Sequence, residues 1–184
     1  MKRVIASLKA KGLDKNTIII YSSDNGYYMG NRGFAGKWSH YDESLRVPLI
    51  IYDPRMPSEN VGQTSDKTAL NIDITATILD IAGVTVPQSY QGKSLQPILN
   101  NDEISNWRDG FLIEHRMEHK KIPKYVGIHE QRYVYANYYE QNPQYEYLHD
   151  LQKDPNQLIN FKIDPNYTEV LQRMRKKYQE LEKK

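Results

Sequence analysis

The sharpest contrast along the chain is an apolar run, Ile18-Ile19-Ile20-Tyr21, that stops abruptly at Ser22-Ser23-Asp24-Asn25-Gly26. Four consecutive β-branched or aromatic side chains predict a strand covered on both faces, as in a parallel α/β sheet. Upstream, Val4, Ile5 and Leu8 fall at helical spacing, with Gly12 where a C-terminal cap would stand. Downstream, Val47 to Tyr52 predicts a second strand of the same sheet, followed by a loop marked by Pro54, Pro57 and Gly62. Asp73 is placed to cap a helix whose Ile74, Ile78, Leu79 and Ile81 face the core and which Gly83 ends, and a short helix follows over Leu95 to Leu99. After Asn100-Asn101-Asp102 the texture changes to tyrosine-rich alternation, which predicts antiparallel strands at Gly110 to Glu114, Tyr125 to His129, Arg132 to Asn137 and Glu146 to His149. Asp164-Pro165 then opens a last helix, with Tyr167, Val170, Leu171, Met174, Tyr178 and Leu181 on one stripe to dock on that sheet.

The fold class that follows is α/β. Residues 1–105 are expected to form a mostly parallel sheet with flanking helices, and residues 106–184 a smaller subdomain of antiparallel sheet and final helix. There are no internal repeats and no low-complexity tracts. A content of 39% hydrophobic residues in 184 suffices for a core. A net charge of +2, from 25 basic and 23 acidic residues, gives no electrostatic claim on nucleic acid or membrane. No segment approaches the ~20 apolar residues of a membrane span. The absence of cysteine excludes disulfides. Met1 to Leu8 begins with basic residues, but Lys9 and Lys11 cut its apolar region too short for a signal peptide. A helix feeding directly into an interior strand reads as the start of a truncated sheet, and such a sheet is expected to leave an exposed edge.

Candidate chemistry sits where the first strand ends, because open α/β sheets place their sites beyond the carboxyl ends of strands. Asp24 and Asn25 leave that strand side by side, so both side-chain oxygens are able to turn towards one hard cation such as Ca²⁺, with Gly26 letting the backbone turn away. Lys37 closes the glycine-rich stretch Gly30-Asn31-Arg32-Gly33-Phe34-Ala35-Gly36-Lys37-Trp38. A lysine brought over a bound cation would complete a receptor for a tetrahedral oxyanion. Taken alone, Ser-Asp-Asn-Gly reads first as an ordinary turn, and it is Lys37 and the sequence that follows that reverse this.

Three motifs in order, Ser23-Asp24-Asn25-Gly26, Gly36-Lys37-Trp38 and Glu43-Ser44-Leu45-Arg46-Val47-Pro48-Leu49-Ile50, closely resemble the C-terminal half of the type I sulfatases of the alkaline phosphatase superfamily. The resemblance runs on through Asn71-Ile72-Asp73-Ile74-Thr75-Ala76-Thr77 to Gly83, through Gly92-Lys93-Ser94-Leu95, and through Tyr147-Leu148-His149-Asp150-Leu151-Gln152-Lys153-Asp154-Pro155-Asn156-Gln157. It implies hydrolysis of sulfate esters, on a sulfated carbohydrate or an aryl sulfate. In that mechanism a formylglycine hydrate made from Cys or Ser attacks sulfur while Ca²⁺ and basic residues hold the sulfate oxygens. Carried over, Asp24 and Asn25 match metal ligands and Lys37 a sulfate-contacting lysine, in line with the catalytic weight of fixed positive charge around developing negative charge.

The departures matter as much. The chain has no cysteine, and no serine in it begins a Ser-x-Pro-x-Arg or Ser-x-Ala-x-Arg sequence, so no nucleophile is assigned. The family's earlier aspartate pair has no counterpart, and a missing N-terminal sulfatase half is the expected partner. Members are commonly exported to periplasm, lysosome or exterior. Two other readings stay open at this point: a phosphate-ester hydrolase of the same superfamily, against which the amide of Asn25 speaks, and a non-catalytic interaction module. His115, at the end of a predicted strand, is a candidate to reach the substrate, with a simple strand-end hydrogen bond as the alternative. Arg32 is a candidate to grip a second anionic group on a sugar, with a scaffold ion pair as the alternative. His40 is expected to pack against Tyr41, and the tyrosines of the alternating region are expected to be ordinary sheet residues.

Overall fold

A computed structural model describes residues 1–183. Contacts group the chain into two units: Met1–Asp24 with Val47–Trp107, and Asn25–Arg46 with the chain from Arg108 onward. The division is therefore not a single cut near residue 105. The segment after Asp24 belongs with the C-terminal sheet because its polar side chains bond to that sheet, as described below.

In the first unit, α1 (Lys2–Ala10) ends as its glycine predicts. Gly12 has φ +67°, its N–H donates to the Lys9 carbonyl at 3.1 Å, and Leu13 N–H donates to the Leu8 carbonyl at 3.0 Å, the paired reverse bonds of a Schellman cap. The apolar run forms β1 (Ile19–Tyr21), which pairs with β4 (Ile50–Tyr52) in the register Ile19↔Tyr52, Ile20↔Ile51 and Tyr21↔Ile50. The two strands share a sheet as expected, but they run antiparallel, and no parallel pair occurs among the described residues. An unbroken apolar run reports coverage of both faces and carries no information about strand direction. Within this chain Ile50 is 60% exposed and Tyr21 47%, and with Met1, Ile5, Lys9, Ile19 and Tyr52 they line an apolar cleft of about 380 Å³.

Helix α3 spans Asn71–Ile81, starting three residues earlier than the sequence predicts. Asp73 is its third residue and not its N-cap. Its carboxylate reaches back to accept the Leu70 N–H at 2.7 Å and sideways to accept the Lys93 N–H at 2.8 Å. Thr77 donates to the Asp73 carbonyl at 2.6 Å and accepts the Leu95 N–H at 2.9 Å. The fully buried face of α3 is thus Asp73, Ala76 and Thr77; of the apolar residues expected in the core, Ile74, Leu79 and Ile81 are half-buried and Ile78 is exposed. What wins is the cost of leaving backbone donors of the 92–95 segment unpaired. Gly92 is required by this clasp, since a Cβ there would lie 2.1 Å from the Ile72 carbonyl oxygen. A short helix, α4 (Gln96–Leu99), follows.

The second unit is a four-stranded antiparallel sheet, β5 (Gly110–His115), β6 (Tyr125–Glu130), β7 (Tyr133–Tyr138) and β8 (Tyr145–Asp150), in sequential order. Alternation sorts its residues onto two faces. Ile128, Tyr135 and Leu148 meet Tyr167, Leu171 and Met174 of the segment ending in α5 (Thr168–Glu182), with Val170, Tyr178 and Leu181 packed around them. Asp164 caps a short 3₁₀ turn, Pro165–Tyr167, that leads into α5, its carboxylate accepting the Asn166 N–H at 2.9 Å. On the other face Ile113, Tyr125, Val134, Ala136 and Tyr138 form a second cluster against Leu45.

That second face carries the segment from Asn25, which contains the hairpin β2 (Tyr28–Met29) and β3 (Ala35–Gly36) and the helical turn α2 (Asp42–Leu45). His40 is fully buried, with its ring 4.0 Å from that of Tyr41. Its Nδ1 lies 2.9 Å from the Tyr138 hydroxyl and its Nε2 lies 3.0 Å from Nε2 of His149, which is also buried. His149 Nδ1 is 2.9 Å from the Ile159 carbonyl, which only accepts, so Nδ1 carries the proton and Nε2 accepts. His40 must then donate from Nε2 and accept the tyrosine proton at Nδ1. Burial, reinforced for His40 by the neighbouring His149, holds both imidazoles below their ordinary pKa.

Two outcomes are expected. Gly92→Ala should lower the unfolding free energy by about 2 kcal/mol in urea titration, because its methyl group has only backbone to displace. Both histidines bind protons more readily when unfolded, so their contribution is complete above pH ~6.5 and fades as pH falls below it. The urea midpoint should therefore be lower at pH 5 than at pH 7.5, and a His40→Phe/His149→Phe pair should flatten that difference whatever its own stability.

Candidate functional site

The residues of the strand end are bonded each within its own unit. In the first unit Asn71 Nδ2 donates to the Asp24 main-chain carbonyl at 2.9 Å, and Ser23 Oγ donates to the Asp24 carboxylate at 3.3 Å. In the second unit Asn25 Nδ2 donates to the Gly26 carbonyl at 2.7 Å, and Asn25 Oδ1 accepts from Lys37 Nζ at 2.5 Å. The hairpin β2–β3 therefore does return Lys37 to the residue that follows Asp24. Gly26 serves close approach more than turning: its N–H donates to the Ser44 carbonyl at 3.0 Å, and a Cβ would lie 2.3 Å from the Glu43 carbonyl oxygen.

Beyond Lys37 the backbone is unusual. Trp38 has φ +79°, a conformation that costs a residue with a side chain about 1–3 kcal/mol. It is held there because the N–H groups of Trp38 and Ser39 both donate to Ser44 Oγ, at 2.9 and 3.3 Å. The indole is 38% exposed and stacks on His115, with centroids 5.8 Å apart and planes 27° apart. His115 in turn stacks on Tyr125 at 6.4 Å and 20°, and the Tyr125 hydroxyl donates to the Ser39 carbonyl at 2.9 Å. The column has Lys37 Nζ 5.9 Å from the indole centroid and the His119 ring at 6.0 Å.

Each candidate residue has a definite place. His115 is buried in this column, and neither of its ring nitrogens has a hydrogen-bond partner among the described residues. Arg32, at φ +57°, spans the scaffold: Nε faces the Glu43 carboxylate at 3.1 and 3.2 Å, Nη1 donates to the Gln157 carbonyl at 3.0 Å, Nη2 donates to the Asn156 carbonyl, and the guanidinium lies 4.1 Å over the Tyr41 ring. Its donors are directed into the fold. Asp42 adds to the same seam, accepting from His129 Nε2 at 2.9 Å, while its own N–H donates to Gln157 Oε1 at 2.8 Å. Burial of Tyr28, opposed by its 2.5 Å bond to Ser39 Oγ, pushes that phenol up to about 12. Sequence reasoning missed Trp38 and the His40–His149 pair. The positive φ of Trp38 has no signature in residue type, and the imidazoles are too far apart in the chain for any local pattern.

The donor set for calcium is right in kind and short in number. A carboxylate and an amide oxygen are hard ligands, whereas Ca²⁺ takes about six to eight oxygens. Among the described residues no three His, Cys, Asp or Glu side chains are arranged to hold a metal. Asp24 and Asn25 fit as two members of a larger set and do not form a site alone.

Residues 30–184 match the family model described as N-sulphoglucosamine sulphohydrolase, C-terminal. The chain is 34% identical over 163 residues to an N-acetylglucosamine-6-O-sulfatase of Bacteroides thetaiotaomicron, covering 86% of this chain and 28% of that protein. It superposes on a solved structure described as a complex with its substrate D-glucosamine-2-N,6-O-disulfate, with TM-score 0.90 and 30% identity, over 99% of this chain and 37% of that one. A phosphonate monoester hydrolase of Agrobacterium radiobacter gives TM-score 0.85 at 27% identity, over 98% and 38%. The chain thus spans well under half the length of the relatives it matches.

If Arg32 is the clasp its bonds describe, Arg32→Ala should cost about 2–4 kcal/mol of stability in urea titration, because it strands the half-buried Glu43 carboxylate and two carbonyls. Arg32→Lys should recover only part, since an ammonium cannot serve three directions in one plane.

Proposed function

This chain belongs to the sulfatases of the alkaline phosphatase superfamily, in the family described as N-sulphoglucosamine sulphohydrolase, C-terminal, and from that premise we propose that it supplies part of the active site of a sulfuric ester hydrolase. The observation that carries this reading is the contact of Lys37 with Asn25, which joins the two motifs able to hold an oxyanion. An ammonium tethered by an amide oxygen is oriented before any ligand arrives, so little reorganisation opposes its pairing with sulfate oxygens. Asp24 and Asn25 are proposed as two ligands of Ca²⁺, which when bound would neutralise charge on the sulfate. Further ligands and the nucleophile, a formylglycine in this family, are assigned to sequence corresponding to the remaining length of the relatives.

The substrate class proposed is a sulfated carbohydrate, by analogy with the sugars named for the relative from Bacteroides and for the solved complex. The likeness to a phosphonate monoester hydrolase keeps one competing reading measurable. Arg32 is not given a substrate contact, since its donors already serve the scaffold.

In the protein completed over the length of its relatives, hydrolysis of a sugar sulfate should exceed that of a phenyl phosphonate. Lys37→Ala should lower kcat/KM by about 10²–10³, the scale of one oriented electrostatic contact. Calcium binding by calorimetry should weaken in Asp24→Ala. Preference for the phosphonate, or an unchanged rate in Lys37→Ala, would sink the reading.

A further inference from the structure

The rings stacked under Trp38 are not used by the proposed sulfate and metal contacts, and the positive φ of Trp38 makes the arrangement costly to maintain. A tryptophan is kept at positive φ by two hydrogen bonds to Ser44, its indole outermost and part-exposed, over an imidazole whose nitrogens go unpaired among the described residues. Within this chain Trp38 stays 38% exposed while its indole rests on the His115 ring. The ring nitrogens of His115 are not engaged, so what the column uses is the face of that ring. Rings stacked behind the indole restrict its plane.

Lys37 Nζ lies 5.9 Å from the indole centroid. A sulfate accepting from Nζ is joined to its sugar ring through one ester oxygen and at most one methylene, so the ring would lie within reach of the indole. A pyranose presents a face of axial C–H groups, which suits the negative face of an aromatic ring. Resting on the proposed sulfatase reading, we propose that Trp38 is a specificity-determining platform on which the pyranose ring of the sulfate ester stacks. His115 is a positioning residue that holds the indole flat for it.

The test uses this chain with Trp107→Phe, so that Trp38 is its sole tryptophan, and follows Trp38 fluorescence together with side-chain resonances of Lys37. Glucosamine 6-sulfate is the probe, with glucosamine, phenyl sulfate and inorganic sulfate as comparisons. The expected result is that glucosamine 6-sulfate moves both residues and binds more tightly than the other three. Trp38→Ala should weaken binding by about tenfold, the size of a ring-stacking contact, and Trp38→Tyr should restore most of it. His115→Ala should weaken binding and His115→Phe should restore it, which a merely stabilising role would not produce at matched folding. If sulfated sugar and inorganic sulfate both move Lys37 while Trp38 stays unmoved, the platform is overturned and the sulfate reading stands. Tighter binding of phenyl sulfate, or equal binding of unsulfated glucosamine, overturns the sugar-sulfate assignment. If no sulfated compound moves Lys37, both readings fall.

Discussion

The buried contact of His40 with His149 ties the segment that carries Lys37 to the C-terminal sheet. The segment from Asn25 to Arg46 contains only short pieces of regular structure, so its own ladders cannot hold it in place. It is held by polar groups taken out of water: two imidazoles and a phenol in one directed chain, an arginine on two carbonyls and a carboxylate, and Asp42 on His129. Buried polar groups that are satisfied specify a single arrangement, because every alternative leaves a donor or acceptor unpaired. Exposed bonds of the same number would compete with water and permit many arrangements.

Most of the motif residues shared with the sulfatases therefore act on the chain itself. Glu43 holds Arg32, Ser44 holds the backbone of Trp38 and Ser39, and Leu45 enters the sheet cluster. Asn71 fixes the carbonyl of Asp24, while Asp73 and Thr77 receive the backbone of Lys93 and Leu95. Asp150 accepts Arg132 at 2.8–3.0 Å and the Tyr167 hydroxyl at 2.8 Å, and the arginine foremost holds its carboxyl down at about 2. Asp154 takes the Ile159 N–H at 2.6 Å within the turn whose carbonyls receive Arg32. The residues proposed to meet metal and sulfate, Asp24, Asn25 and Lys37, are few beside those whose bonds hold the chain in place.

Period and punctuation were enough to read the antiparallel strands and the stripe of α5, because these elements alternate between a dry and a wet face and local pattern records burial. The Gly12 cap was legible because only glycine takes that backbone conformation without penalty. Motif order was enough to bring Asp24, Asn25 and Lys37 forward. Strand direction, by contrast, was not legible from Ile18 to Tyr21, since an apolar run is the same read either way. The face of α3 was misjudged at Ile78 because backbone donors from the 92–95 segment claimed Asp73 and Thr77 for the inside.

The sequence by itself determined the kinds of element, the order of the motifs and the class of ligand that a carboxylate, an amide and a lysine can hold, since these follow from local pattern and side-chain chemistry. Only the tertiary structure decided that Arg32 is a clasp, that His115 lies under Trp38 and that His40 meets His149. Each of these depends on which distant backbone carbonyl or ring comes within a few ångströms, and long-range proximity is a property of the packed whole that no local window of the chain contains.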